Sequence, residues 1–137
     1  MTPVDQEFIH KPEIGQHGDC QRAVIASLMN LPMSEVPHFL HDGDSSEFWD
    51  RIQSFLLEYG YQWMVMKKPD AGIECLFFGT NDSTNIYHEI SGISPRDPNV
   101  RHAVVGCNGR IVHDPHPDKT GLAGTEDWDY GFLVKVR

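Results

Sequence analysis

The chain has 137 residues with 11 basic against 20 acidic side chains, and its net charge of −9 stays negative even when all eight histidines are protonated. A domain that never turns positive is a poor partner for nucleic acid, whose binding rests on neutralising phosphates. No apolar run approaches the roughly 20 residues of a membrane span, and the length suits one domain over residues 1–137. Residues 1–19 carry Pro3, Pro12, Gly15 and Gly18 without sustained periodicity and read as an irregular entry segment. From Cys20 to Asn30 the residues Cys20, Ala23, Val24, Ser27, Leu28 and Leu31 recur at helical spacing, with Asp19 as N-cap and Asn30-Leu31-Pro32 as the stop. Met33 to Pro37 reads as one further turn. A second helix follows: Asp44 and Glu47 have capping-box spacing, and Phe48, Ile52, Phe55, Leu56 and Tyr59 form a core stripe before Gly60.

After Gly60 the period changes. Tyr61–Met66, Ile73–Phe78, Ile86–Ser91, His102–Cys107, Arg110–His113 and Gly131–Val136 read as strands, from their β-branched and aromatic content. Helices first and strands afterwards predict an α+β fold, N-terminal helices packed on a C-terminal antiparallel sheet. The N-terminus has no basic region leading into an apolar run, so no signal peptide is read and a cytoplasmic protein is expected. Cys20, Cys75 and Cys107 are odd in number and widely spaced, which suits neither a disulfide framework nor a zinc site; free thiols are expected.

Of the three, Cys20 stands where chemistry is easiest. The first turn of a helix presents unpaired N–H groups and the positive end of the helix dipole, which favour a thiolate, and the backbone N–H of Cys20 is available to an oxyanion. The second feature is Arg101 to Pro115, two β-branched runs about the Asn108-Gly109 hairpin signal. A three-residue loop, Cys107-Asn108-Gly109, sets His102 opposite Asp114. A two-residue loop, Asn108-Gly109, sets His102 opposite Pro115, and Asp114 then needs a bulge or a strand end to reach the ring. Cysteine, histidine and a carboxylate are the nucleophile, base and orienting group of thiol acyl transfer.

That chain order, with the cysteine opening the first long helix and histidine and aspartate on successive strands, resembles the papain-like cysteine peptidases. His102-Ala-Val-Val-Gly106, Asp114-Pro115 and Gly121 resemble the corresponding segments of bacterial double-glycine leader peptidases, over a span from about Gln16 to Gly121 in which some ten positions match. The resemblance implies a papain-like fold and a cysteine-dependent hydrolase of an amide, peptide or isopeptide bond. It assigns Cys20 as nucleophile, His102 as base and later acid, and Asp114 as the orienting carboxylate, with a peptide or protein as substrate and no cofactor. In those families a glutamine six residues before the cysteine serves the oxyanion; here Ile14 holds that place, and Gln16, four before, is the nearest candidate.

Two other function classes fit the same residues. One is a catalytically silent domain of this fold that binds a peptide or protein partner. The other is a metal module centred on His113 and His116, in a His-Asp-Pro-His-Pro-Asp run whose prolines turn successive ligands apart. His10, His38, His41 and His88 read as surface or turn residues, Cys75 and Cys107 as packing. Trp49, Trp63 and Trp128 fit core or groove, and Arg96 and Arg101 sit in or beside a loop suited to gripping substrate.

Overall fold

In α1 (Cys20–Met29), Ala23 to Ser27 are all buried, so the helix is covered on more than the single stripe its spacing predicts. In the computed structural model, which describes residues 1–40, 43–70, 74, 78 and 84–136, it is packed from two sides. Val24 meets Ala103 and Val105 of the sheet, while Ile25 and Ala26 join Val36, Phe39, Ile52, Leu56 and Trp63 in the largest apolar cluster. Asn30 ends the helix in a left-handed conformation, φ 57°, its N–H returned to the Ala26 and Ser27 carbonyls. A 3₁₀ turn, Met33–Glu35, is the extra turn expected there.

Helix α2 (Phe48–Glu58) buries Ile52 and Leu56 as its stripe predicts. The predicted capping box does not form. Asp44 Oδ1 instead accepts from the N–H and Oγ of Ser46, a local turn that competes with capping, and no side chain caps the helix at Glu47.

The strands are β1 (Tyr61–Lys67), β2 (Tyr87–Ile93), β3 (Arg101–Cys107), β4 (Arg110–His113) and β5 (Asp129–Lys135). Among the described residues they form one antiparallel five-stranded sheet in the order β1-β5-β2-β3-β4, with α1 against β3 and α2 against β1. The α+β arrangement of helices before an antiparallel sheet is thus as the sequence predicts. For the strand expected over Ile73–Phe78, the described residues Glu74 and Phe78 have helical backbone; the rest, Cys75 included, lie outside the described residues, as does His41.

Burial on both faces distinguishes the middle of the sheet. Ile90, Val104, Trp128, Tyr130 and Phe132 pack together, while Val105 and Ala103 face α1. His88 joins the first group rather than the surface: it is fully buried, with ring centroids 5.2 Å from Phe78, 4.6 Å from Tyr130 and 5.0 Å from Phe132. Its Nε2 accepts from the Gly109 N–H at 3.0 Å, so the neutral ring carries its proton on Nδ1 and donates it to the Glu89 carbonyl at 2.9 Å. Burial holds its pKa below the ordinary histidine value, in keeping with that neutral form.

Candidate functional site

The β3–β4 hairpin settles which of the two registers the chain adopts. Cys107 pairs with Arg110 across a two-residue loop in which Asn108 and Gly109 both have positive φ, 51° and 82°. A bulge between Val105 and Gly106 then shifts the pairing so that Val105 faces His113. Asp114 lies just past the end of β4, and from there its Oδ1 meets His102 Nε2 at 2.7 Å. Bulge and strand end together make the contact that the two-residue loop requires.

Asp114 is fixed from three sides. Its Oδ1 also accepts the His116 N–H at 2.9 Å, and its Oδ2 accepts the Gly121 N–H at 2.8 Å. Gly121 has φ +73°, a left-handed backbone that suits glycine and brings its N–H round to the carboxylate. Burial works to raise the Asp114 pKa, but hydrogen bonds from His102, His116 and Gly121 prevail and lower it to about 2.

His102 has one more partner. The Cys20 side chain also acts on the ring, and the two residues line the same two cavities. Burial works against a charged ring, yet the hydrogen bonds to Asp114 and Cys20 outweigh it and raise the His102 pKa to about 9. The ring is therefore an imidazolium at neutral pH, against the Asp114 carboxylate. Cys20 itself opens α1 and is half-buried.

The entry segment sets the approach to that helix. Asp19 occupies the N-cap position, but its carboxylate does not cap α1, contrary to the expectation above. Its Oδ1 accepts the Glu7 and Phe8 N–H groups at 3.0 and 2.9 Å, and its Oδ2 pairs with Arg22 at 3.2 Å. The helix start beside Cys20 is thus left without a side-chain cap. The same segment is tied to the Asp114 loop, since Gln6 N–H donates to the Pro115 carbonyl at 3.0 Å and Lys119 bonds both Asp5 and the Asp114 carbonyl.

Gln16 has a local partner. Its amide nitrogen donates to the Ile9 carbonyl at 2.6 Å, within a local turn closed by a Lys11–Gln16 bridge, and it lines neither of the cavities that Cys20 lines. The side chain is thus taken up in shaping the loop.

Cys20 and His102 together line two cavities. The larger, about 450 Å³, has apolar walls that include Phe39, Phe48, Trp49 and Val65, with Glu89 and Gln21 among its polar residues. The smaller, about 320 Å³, includes Gln6, Ser94, Arg96, Arg101 and His116. Trp49 is a wall of the first, while Trp63 and Trp128 belong to the core. Arg101 is held by Ser91, Asp127 and Asp129, and Arg96 by Thr120.

The histidines of the metal alternative go separate ways. His113 Nε2 faces the Val4 carbonyl at 2.9 Å, and His116 Nδ1 accepts the Asp118 N–H at 3.0 Å. Among the described residues no three His, Cys, Asp or Glu side chains converge for a metal ion. No helix among them is long and apolar enough to cross a membrane.

Sequence reasoning missed Glu89 and Gln21. Glu89 alternates with His88 and Ile90 and so reads as a solvent-facing strand position. It is instead 4 % exposed, because β2 is the central strand and α1 covers its second face. The available signal is the order of the strands, which no local pattern carries. No protein-family model, curated protein or solved structure matches the chain.

Proposed function

We propose that this protein is a papain-like thiol hydrolase that cleaves an amide, peptide or isopeptide bond through an acyl-enzyme on Cys20. The observation that carries the reading is the 2.7 Å contact of His102 with Asp114 at the two cavities that His102 shares with Cys20, a set suited to base, orienting carboxylate and nucleophile. In the proposed reaction Cys20, its proton already held on the His102 ring, attacks the scissile carbonyl carbon as the thiolate, and the carbonyl π electrons move onto the oxygen. The imidazolium of His102 gives its proton to the departing nitrogen, and the C–N bond breaks to leave a thioester. The ring, now neutral, takes a proton from water as its oxygen attacks the thioester. The C–S bond then breaks, the Cys20 thiolate and the carboxylic acid separate, and the ring keeps the proton it took from water, which restores the starting thiolate–imidazolium pair. Asp114 keeps the ring oriented throughout and stabilises its charged form. The uncapped start of α1 supports the backbone N–H of Cys20 as an oxyanion donor.

The competing reading, a silent domain that binds a peptide in the apolar cavity, draws on the engagement of Gln16 elsewhere. Alkylation separates the two. Iodoacetamide labelling of each cysteine, followed by mass spectrometry from pH 4 to 9, is expected to modify Cys20 well ahead of Cys107 below pH 7, and to lose that preference in His102→Ala. Equal labelling of the two thiols, or a preference indifferent to His102, overturns the hydrolase reading. Removal of a working oxyanion donor costs roughly 10²- to 10³-fold in rate. Gln16→Ala is expected to fall well short of that when Cys20 acylation by p-nitrophenyl acetate is followed.

A further inference from the structure

The larger cavity beside Cys20 contains a buried acid that forms no ion pair among the described residues. Glu89, in β2, is 4 % exposed and lines this otherwise mostly apolar space. Its Oε2 accepts a hydrogen bond from the amide of Gln21, the residue next to the nucleophile. Among the described residues no other side chain or backbone group bonds the carboxyl group. The arginines that line the cavity are committed elsewhere. Arg22 donates to the Val36 and Met33 carbonyls and pairs with Asp19, and Arg101 donates to the Ser91 carbonyl and pairs with Asp127 and Asp129. A carboxylate in a low-dielectric site with one neutral hydrogen bond is unfavourable until a cation joins it.

We infer that the larger cavity is a specificity pocket for a basic side chain, lysine or arginine, on the substrate residue that supplies the scissile carbonyl, with Glu89 at its base as the charge that recognises it. This rests on the hydrolase reading of Cys20 and extends it to a substrate class. Reach supports the pairing. The side chain of Gln21, which starts one residue from Cys20, already touches Glu89, and a lysyl or arginyl side chain is longer. The walls suit the apolar stem of such a residue: Phe39, Phe48, Val65 and Ala103 take the methylenes while the charged end reaches the carboxylate. Burial pushes the Glu89 pKa up, against the Gln21 hydrogen bond, and with Asp129 and Arg101 acting in opposite senses it lies at about 7. An entering cation favours the ionised form, so the pocket gains its charge as it is filled.

The test uses chloromethyl ketones of lysine and norleucine, which alkylate a cysteine at the methylene carbon with loss of chloride and differ at the side-chain terminus. Each inactivation rate is divided by the iodoacetamide rate of the same variant, so that any change in Cys20 reactivity cancels. In the native protein the lysyl reagent is expected to exceed the norleucyl one by about tenfold, one charge pair's worth of binding. In Glu89→Gln, which keeps an acceptor for Gln21, the ratio is expected to fall towards one. A ratio near one in the native protein overturns the inference without recourse to any variant. So does a tenfold preference that persists in Glu89→Gln, which assigns recognition to another acid such as Asp129. If Cys20 is labelled by no reagent ahead of Cys107, the hydrolase reading fails and the specificity inference with it.

Discussion

Replacing His102 by alanine is expected to slow the acylation of Cys20 by p-nitrophenyl acetate by roughly 10²- to 10⁴-fold, the range a positioned acid–base group contributes. In the proposed reaction the side chain removed is the one that holds and delivers the proton. His116, 6.0 Å away between ring centroids, meets His102 edge to face and uses its Nδ1 on the Asp118 N–H. His38 is turned to the His17 carbonyl at 3.0 Å. Cys107 supplies the internal control: it is half-buried at the end of β3, and its Sγ faces Asn85 Oδ1 at 3.8 Å rather than an imidazole. Nitrophenolate release is timed by stopped flow, and the acetyl group is located by mass. An acylation rate within about threefold of native, or an acetyl group found mainly on Cys107, counts against the proposed chemistry.

The three chemical positions were legible for different reasons. Cys20 is visible because a helix start has a local signature: a cysteine before an apolar helical run, with small residues ahead of it. His102 and Asp114 are visible because Asn-Gly fixes a hairpin, and a hairpin brings distant residues together at predictable offsets. The offset itself depends on a bulge at Val105/Gly106, which leaves no mark on a β-branched run. Legibility ends where strand order begins. The partition of His88 into the core and Glu89 under α1 follows from β2 lying between β5 and β3, a non-local arrangement. Asp19 and Asp44 show the opposite failure, in which local pattern is right about residue type but wrong about partner. Each carboxylate has backbone N–H groups nearer than those of the helix it precedes, Glu7 and Phe8 for Asp19 and Ser46 for Asp44. The Gln16 amide is likewise held by a short local turn, through the Ile9 carbonyl.

Asp114→Ala is expected to cost about 3–5 kcal/mol, the usual consequence of removing one member of a buried pair and stranding the other. Against a stability of roughly 5–15 kcal/mol for an ordinary domain, that lowers the melting temperature on the order of 10 °C or more. Two features enlarge the effect: His102 is left as a buried cation, and the His116 and Gly121 N–H groups lose their acceptor. The pH dependence has a definite sign on each side. His102 is raised from 6.5 to about 9, so its contribution is complete below pH 6.5 and is lost as pH rises through about 9. Asp114 is lowered from 3.8 to about 2, so its contribution is complete above pH 3.8 and is lost as pH falls through about 2. From this pair the native protein gains most between those limits, and the alanine variant is expected to lose both flanks along with the plateau. Asp114→Asn, which keeps an oxygen for His102 but offers an amide to Gly121, is expected to fall between the two. Thermal melts from pH 2 to 10 decide the matter. An alanine variant that melts within a degree or so of native at pH 6, or keeps the native fall between pH 7 and 9, removes Asp114 as the group that holds His102 charged.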